Sequence, residues 1–134
     1  MRNTFRKYER LCNVSLIENL FRKGHTIHFF PLVVKWMISP VPLEQTPCQV
    51  LLIAPKRLFK RATERNRRKR LLKESFRLKK HTLYDFLKER NLQICLSIAY
   101  INGQDVTNEQ LNNLIETIFD KLMRKISTQL EAER

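Results

Sequence analysis

The chain holds two glycines, Gly24 and Gly103, among 134 residues. That scarcity excludes a glycine-rich loop that wraps phosphates in backbone N–H groups. No run of about 18 apolar residues exists, so no segment has the character of a membrane span, and no membrane-embedded partner is expected. The opening residues, Met1-Arg2-Asn3-Thr4-Phe5-Arg6-Lys7, have no apolar stretch behind them to make a secretory signal. Cys12, Cys48 and Cys95 lack metal-type spacing, and each lies among apolar neighbours. They read as reduced, buried thiols, which with the missing signal points to the cytoplasm. Catalytic groupings are also missing. His25, His28 and His81 have no ligand pattern beside them, the acids are scattered singly, and no serine or cysteine sits in a nucleophile elbow. The polypeptide is therefore expected to hold no metal and to carry no catalytic residue of its own.

The most uneven shortage is of negative charge. Residues 56–80 contain thirteen Lys and Arg against two acids, whereas residues 1–55 have seven against three and residues 81–134 six against eight. Apolar content of 43% is ordinary for a globular chain, so this charge is not a sign of disorder. A cluster so dense repels itself unless counterions or a polyanion neutralise it, and a nucleic acid or a membrane surface are the candidate polyanions.

The centre of that cluster, Arg61 to Lys80, has no Gly or Pro and reads as a helix of about five turns. At 100° per residue, Leu71, Leu72, Ser75, Phe76 and Leu78 share a core-facing arc. Asn66, Arg67, Lys69, Arg70, Lys73, Arg77 and Lys80 occupy the opposite one. Arg65 and Arg68 are misfits, projecting from the core-facing side near the helix start.

The other elements follow in order. Residues 1–12 form a basic, irregular N-terminal arm. Ser15 with Glu18 is a capping-box pattern opening a helix that carries Leu16, Ile17, Leu20 and Phe21 and ends at Gly24 in the C′ position. Ile27 to Ile38 is strand, with Pro31 requiring an edge position or a start at Leu32. Ser39 to Pro47 is a hairpin-like connection, and the apolar run Gln49 to Ala54 reads as a central strand. Thr82 caps a further short helix to Arg90. Leu92 to Ile101 is a buried strand, followed by a turn in which Gly103 is available for positive φ. Thr107 and Gln110 box the last helix, with residues 127–134 a frayed tail. The order makes residues 1–134 one domain of α/β class, a two-layer α/β sandwich with a small mixed sheet.

Two surfaces stand out. The basic helix is too wide for the deep major groove of A-form RNA, so it would lie against phosphates that a folded RNA brings together; a DNA major groove would admit it. A DNA-binding zipper is not supported, because steps of seven from Leu71 give Leu78, then Asp85. The second surface comprises Ile17 and Phe21 with Val34 and Trp36, and Lys35 at its rim. Aromatic platforms with cations hold single strands, although these residues alone leave open whether the four line a cleft or are core.

Ala62, Arg65-Asn66-Arg67, Lys69-Arg70-Leu71-Leu72-Lys73-Glu74 and Phe76 resemble the RNR signature of the bacterial ribonuclease P protein component. Tyr8 to Trp36, Lys56-Arg57 and Thr107 to Ile126 resemble the elements that flank it there. The resemblance implies that residues 1–134 are a single RNA-binding domain, with a left-handed crossover between parallel strands, that binds a catalytic RNA through the signature helix. It also implies a cleft that meets the 5′ leader of precursor tRNA, with cleavage performed by the RNA and Mg²⁺ held mainly by that RNA. By position, Arg65, Asn66, Arg67, Lys69, Arg70 and Lys73 would contact ribonuclease P RNA beside Lys56 and Arg57. Arg61 and Arg68 complete the candidate set, and Ile17, Phe21, Val34, Lys35 and Trp36 form the leader-binding one. Glu64 before the signature, Lys73 where Arg is common and Ile17 where an aromatic is frequent are departures. DNA is not an expected partner; a ribosomal or RNA-assembly protein without a cleavage role is the alternative.

Overall fold

The computed structural model describes residues 5–132. A single 3-10 turn, Lys7–Glu9, precedes α1 (Val14–Lys23), β1 (His25–Phe29), β2 (Leu32–Ile38), β3 (Cys48–Ile53), α2 (Ala62–Glu89), β4 (Ile94–Tyr100) and α3 (Asn108–Ala132). The strands form one mixed sheet in the order β1-β2-β4-β3, with β3 and β4 parallel and the other pairs antiparallel. One sheet face, carrying Leu32, Val34, Trp36, Val50, Leu96 and Ile98, packs on α2 and α3 around Leu72, Phe76, Ile115 and Phe119. On the opposite face α1 sets Leu16 and Leu20 against Met37 and Cys95. The expected α/β sandwich is present, and α1 adds a partial third layer.

Several local expectations change. Asn13, not Ser15, caps α1, its side chain accepting from the Leu16 N–H at 3.1 Å. Gly24 is extended, with φ −68°, rather than left-handed. It is needed for close approach instead, since a Cβ there would stand 2.3 Å from the Leu20 carbonyl oxygen. The Ile27–Ile38 strand is two strands, because Pro31 has no N–H for a ladder and falls in the turn between them. Residues 39–47 make no hairpin, since β4 lies between β2 and β3.

β3 is apolar yet sits at the sheet edge. Its outer side is covered by the N-terminal segment, where Arg10 bridges Val50 and the Leu11 N–H donates to the Val50 carbonyl at 3.0 Å. The irregular arm is docked over residues 5–12, and Phe5 packs edge-on to Phe76 at 5.8 Å.

α2 runs without a break through Thr82, where no Gly or Pro interrupts it. Leu78 is 39% exposed and lies off the core-facing arc. α3 is capped as expected, Thr107 and Gln110 exchanging backbone-to-side-chain bonds of 3.0 and 3.1 Å. Its last turn continues to Ala132, with Leu130 against the core, instead of fraying from 127. Gly103 does not take positive φ; Asn102 shapes that turn by accepting from the Gln104 N–H at 2.7 Å. Of the three thiols, Cys48 and Cys95 are buried, whereas Cys12 is exposed.

Candidate nucleic-acid interface

Pro55 ends β3 and starts a tight turn in which the N–H groups of Leu58 and Phe59 donate to its carbonyl. Phe59 turns inward, edge-on to Tyr100 at 5.4 Å. With the turn anchored this way, Lys56, Arg57 and Lys60 stay outside and exposed. Arg61 follows as the N-cap of α2 and makes no side-chain cap bond. A helix start carries partial positive charge, so an arginine there adds to the local potential instead of opposing it.

The signature arginines divide by environment. Arg68 is buried at 4% exposure. Its Nε donates to Glu64 at 2.9 Å, Nη1 to the Gln104 carbonyl at 2.8 Å and Nη2 to the Gly103 carbonyl at 3.2 Å. Its guanidinium also lies 4.7 Å from the Phe59 ring centroid and 5.5 Å from that of Tyr100. The expectation that Arg68 belongs to the RNA-facing set does not fit this burial, since its donors are used within the protein. Arg65 is half-buried and ties the connector to the helix, donating to the Phe59 and Lys60 carbonyls at 3.0 Å each.

Arg67 forms a two-point pair with Glu64, at 3.2 and 2.9 Å, and reaches Asp105 at 3.2 Å. Hydrogen bonds from Arg67 and then Arg68 hold the Glu64 carboxyl down at about 2. Hydrogen bonds to Glu64 and then Asp105 raise Arg67 above its usual range. Glu64, a departure from the signature pattern, thus organises two of its arginines.

The remaining ridge is open. Asn66, Lys69, Arg70 and Lys73 are exposed along one helical stripe, and Lys73 lies 5.6 Å from the Phe5 ring centroid. Among the described residues, Lys56, Arg57, Lys60, Arg61, Lys69 and Arg70 make no salt bridge. Lower on the helix, Arg77 pairs with Glu74, and Lys80, expected on the cationic arc, is buried against Glu9.

The second candidate surface is split between the two sheet faces. Val34 and Trp36 are 0% and 2% exposed and belong to the α2–α3 core, so they do not join Ile17 and Phe21. Strand alternation places Val33 and Lys35 on the α1 side instead. There Phe21 is 42% exposed, and Lys35 Nζ stands 5.7 Å from its ring centroid and 3.3 Å from its carbonyl oxygen. Ile17, like Leu51, packs half-buried against the cluster under α1. The sequence reading missed Val33, and also Ala99, its cross-strand partner, which is half-buried on the same face. Alternation was the available signal, and it needed only the knowledge of which face meets α1.

One helix here belongs to the core on one side and presents unpaired cations on the other, beside a basic connector and a sheet face flanked by an aromatic. That combination defines a nucleic-acid-binding α/β protein. Residues 5–123 match the family model described as Ribonuclease P. The ribonuclease P protein component of Porphyromonas gingivalis (strain ATCC 33277) is 38% identical over 99 residues, covering 74% of this chain and 70% of that protein. The one from Chlorobium phaeobacteroides is 26% identical over 129 residues, covering 87% and 88%. The solved structure of the Staphylococcus aureus RNase P protein superposes with a TM-score of 0.66 at 20% identity, covering 85% of this chain and 94% of that one. The Thermotoga maritima RNase P protein gives 0.56 at 17%, covering 81% and 96%. The chain belongs to the ribonuclease P protein family. Membership makes it a protein subunit of a tRNA-processing endoribonuclease, with an RNA subunit as partner.

Proposed function

We propose that Lys56, Arg57, Arg61, Asn66, Lys69, Arg70 and Lys73 bind ribonuclease P RNA, joined by Lys60 on the connector. The observation that carries this reading is the open half of the ridge, where exposed cations have no carboxylate partner among the described residues. Guanidinium forks suit phosphate oxygens, and ammonium groups serve as point charges. Arg65 and Arg68 shape this surface by holding the connector and the 103–105 loop to the helix. Arg67 exchanges part of its carboxylate contact for phosphate when RNA arrives.

Ile17, Phe21 and Lys35, with Val33 beside them, receive the single-stranded 5′ leader of precursor tRNA. An apolar wall with a cation at its edge supports that role. Bond cleavage belongs to the RNA with Mg²⁺. Among the described residues no three His, Cys, Asp or Glu side chains cluster, and the nearby Glu64 and Asp105 contact Arg67 and Arg68. Both acids are engaged by arginines, and no step is assigned to a metal held by the protein. No described helix is long and apolar enough to cross a membrane, and the cytoplasm is the proposed location.

Reconstitution tests the reading. Purified protein is added to ribonuclease P RNA and a leader-bearing precursor tRNA at low Mg²⁺. Stimulated release of the leader is expected; cleavage at the rate of RNA alone would count against the assignment.

A further inference from the structure

The turn between β1 and β2 carries an aromatic that the core does not use. Phe30 and Pro31 form that turn, and the two adjacent phenylalanines part company there. Phe29 packs toward the core with Lys121 5.1 Å from its ring centroid, whereas Phe30 is 62% exposed. In this position the phenyl ring gives up most of the burial that its surface offers.

The surroundings of Phe30 are those of the interface. The Pro31 carbonyl accepts from the Ile101 N–H at 2.9 Å, which fixes the turn against the end of β4. The chain then passes through Gly103 and Gln104, whose carbonyls hold Arg68. A Cβ at Gly103 would stand 3.7 Å from the Leu58 carbonyl oxygen, so this loop abuts the basic connector. The β1–β2 turn, the 102–105 loop and residues 55–61 therefore rim the same end of the sheet. At the usual interstrand spacing, the turn and the connector are about 12 Å apart across that end. The acid that the rim carries, Asp105, contacts Arg67 and Arg68.

We propose that Phe30 is a stacking platform for an unpaired RNA base whose flanking phosphates lie on the exposed cations of the connector and the α2 start, Lys56, Arg57, Lys60 and Arg61. This rests on the RNA-binding reading above and adds a contact point to it. A base offers a π-face whatever its identity, so the contact tolerates any sequence while requiring a single-stranded or bulged nucleotide. It lies outside both surfaces expected from the sequence.

The test compares the full-length chain with Phe30→Ala, Phe30→Leu and Phe30→Trp, measuring affinity for ribonuclease P RNA across a salt series together with the melting temperature. Phe30→Ala is expected to weaken binding by about tenfold, the low-to-middle range for losing one stacked base. The slope against salt should not change, because no phosphate contact is removed. Phe30→Trp should bind as well as the parent or better, and Phe30→Leu should stay as weak as Phe30→Ala. Parent-like affinity in Phe30→Ala would overturn the proposal. Full rescue by Phe30→Leu would also overturn it, by showing that apolar bulk is enough, as would a large fall in melting temperature. If the parent chain itself fails to bind the RNA, the wider reading fails and takes this one with it; normal parent binding with an indifferent Phe30→Ala removes this one alone.

Discussion

Glu9 and Lys80 meet as a buried ion pair, with 2.5 Å between Lys80 Nζ and Glu9 Oε1. Tyr84 adds its hydroxyl to the same carboxylate oxygen at 2.6 Å. Burial pushes the Tyr84 phenol well above its usual range, which keeps it a donor. The pair pins the N-terminal segment to α2, and through Leu11 that segment covers the edge of β3. Removing one partner leaves the other charged and buried, so Lys80→Met alone should cost about 3–5 kcal/mol. Glu9→Leu with Lys80→Met should recover much of that loss in urea unfolding. Additive losses in the double variant would show that the two charges act separately.

The arginines of the signature should separate by readout. Arg68→Ala removes a buried guanidinium and leaves the Gly103 and Gln104 carbonyls without their donor, so a stability loss of about 2–4 kcal/mol is expected. Lys69→Ala with Arg70→Ala touches no salt-bridge partner among the described residues. Thermal unfolding should be nearly unchanged in that variant, while its RNA affinity falls and its salt slope drops by about 1.4. Equal melting shifts in the two variants would contradict the division.

Acid should loosen the loop that Arg67 and Arg68 hold. The Glu64 carboxyl is depressed to about 2. Its contribution is therefore present above the ordinary carboxylate range near 4.5 and is lost as pH falls toward 2. A carboxyl resonance of Glu64 titrating with a midpoint near 2 is the expected NMR result, and Glu64→Gln should abolish this part of the acid response. A midpoint near 4.5 would mean that the pairs do not persist in solution.

Substitutions along β2 should alternate in effect. Trp36→Ala opens the main core and should cost about 3–5 kcal/mol. Lys35→Ala should leave folding nearly intact and reduce affinity for leader-bearing precursor tRNA, with little change for mature tRNA. A leader-specific defect in a folded Trp36 variant, with none in Lys35→Ala, would reverse the assignment of faces.

How much of this was legible in the sequence depends on the reach of each signal. The ridge was readable because a run without Gly or Pro makes a helix and a 100° step sorts its charges. The same step marked Arg65 and Arg68 as misfits; their partners, the Phe59 and Lys60 carbonyls and the 103–105 loop, are tertiary and could not be read. Alternation in β2 correctly put Val34 and Trp36 together, but period two carries no label for which face meets α1. β3 looked central because it is apolar, and only the docking of Leu11 against Val50 explains an apolar strand at an edge. Thr82 with Asp85 imitates a helix start, yet nothing nearby stops the helix already in progress.

The most direct measurement is the affinity of the full-length protein for ribonuclease P RNA as a function of salt. With about six phosphates engaged by the open ridge and connector, log affinity should fall against log salt with a slope near −4 to −5. A flat profile would contradict the account, because it would mean that the unpaired cations from Lys56 to Lys73 do not meet the RNA backbone.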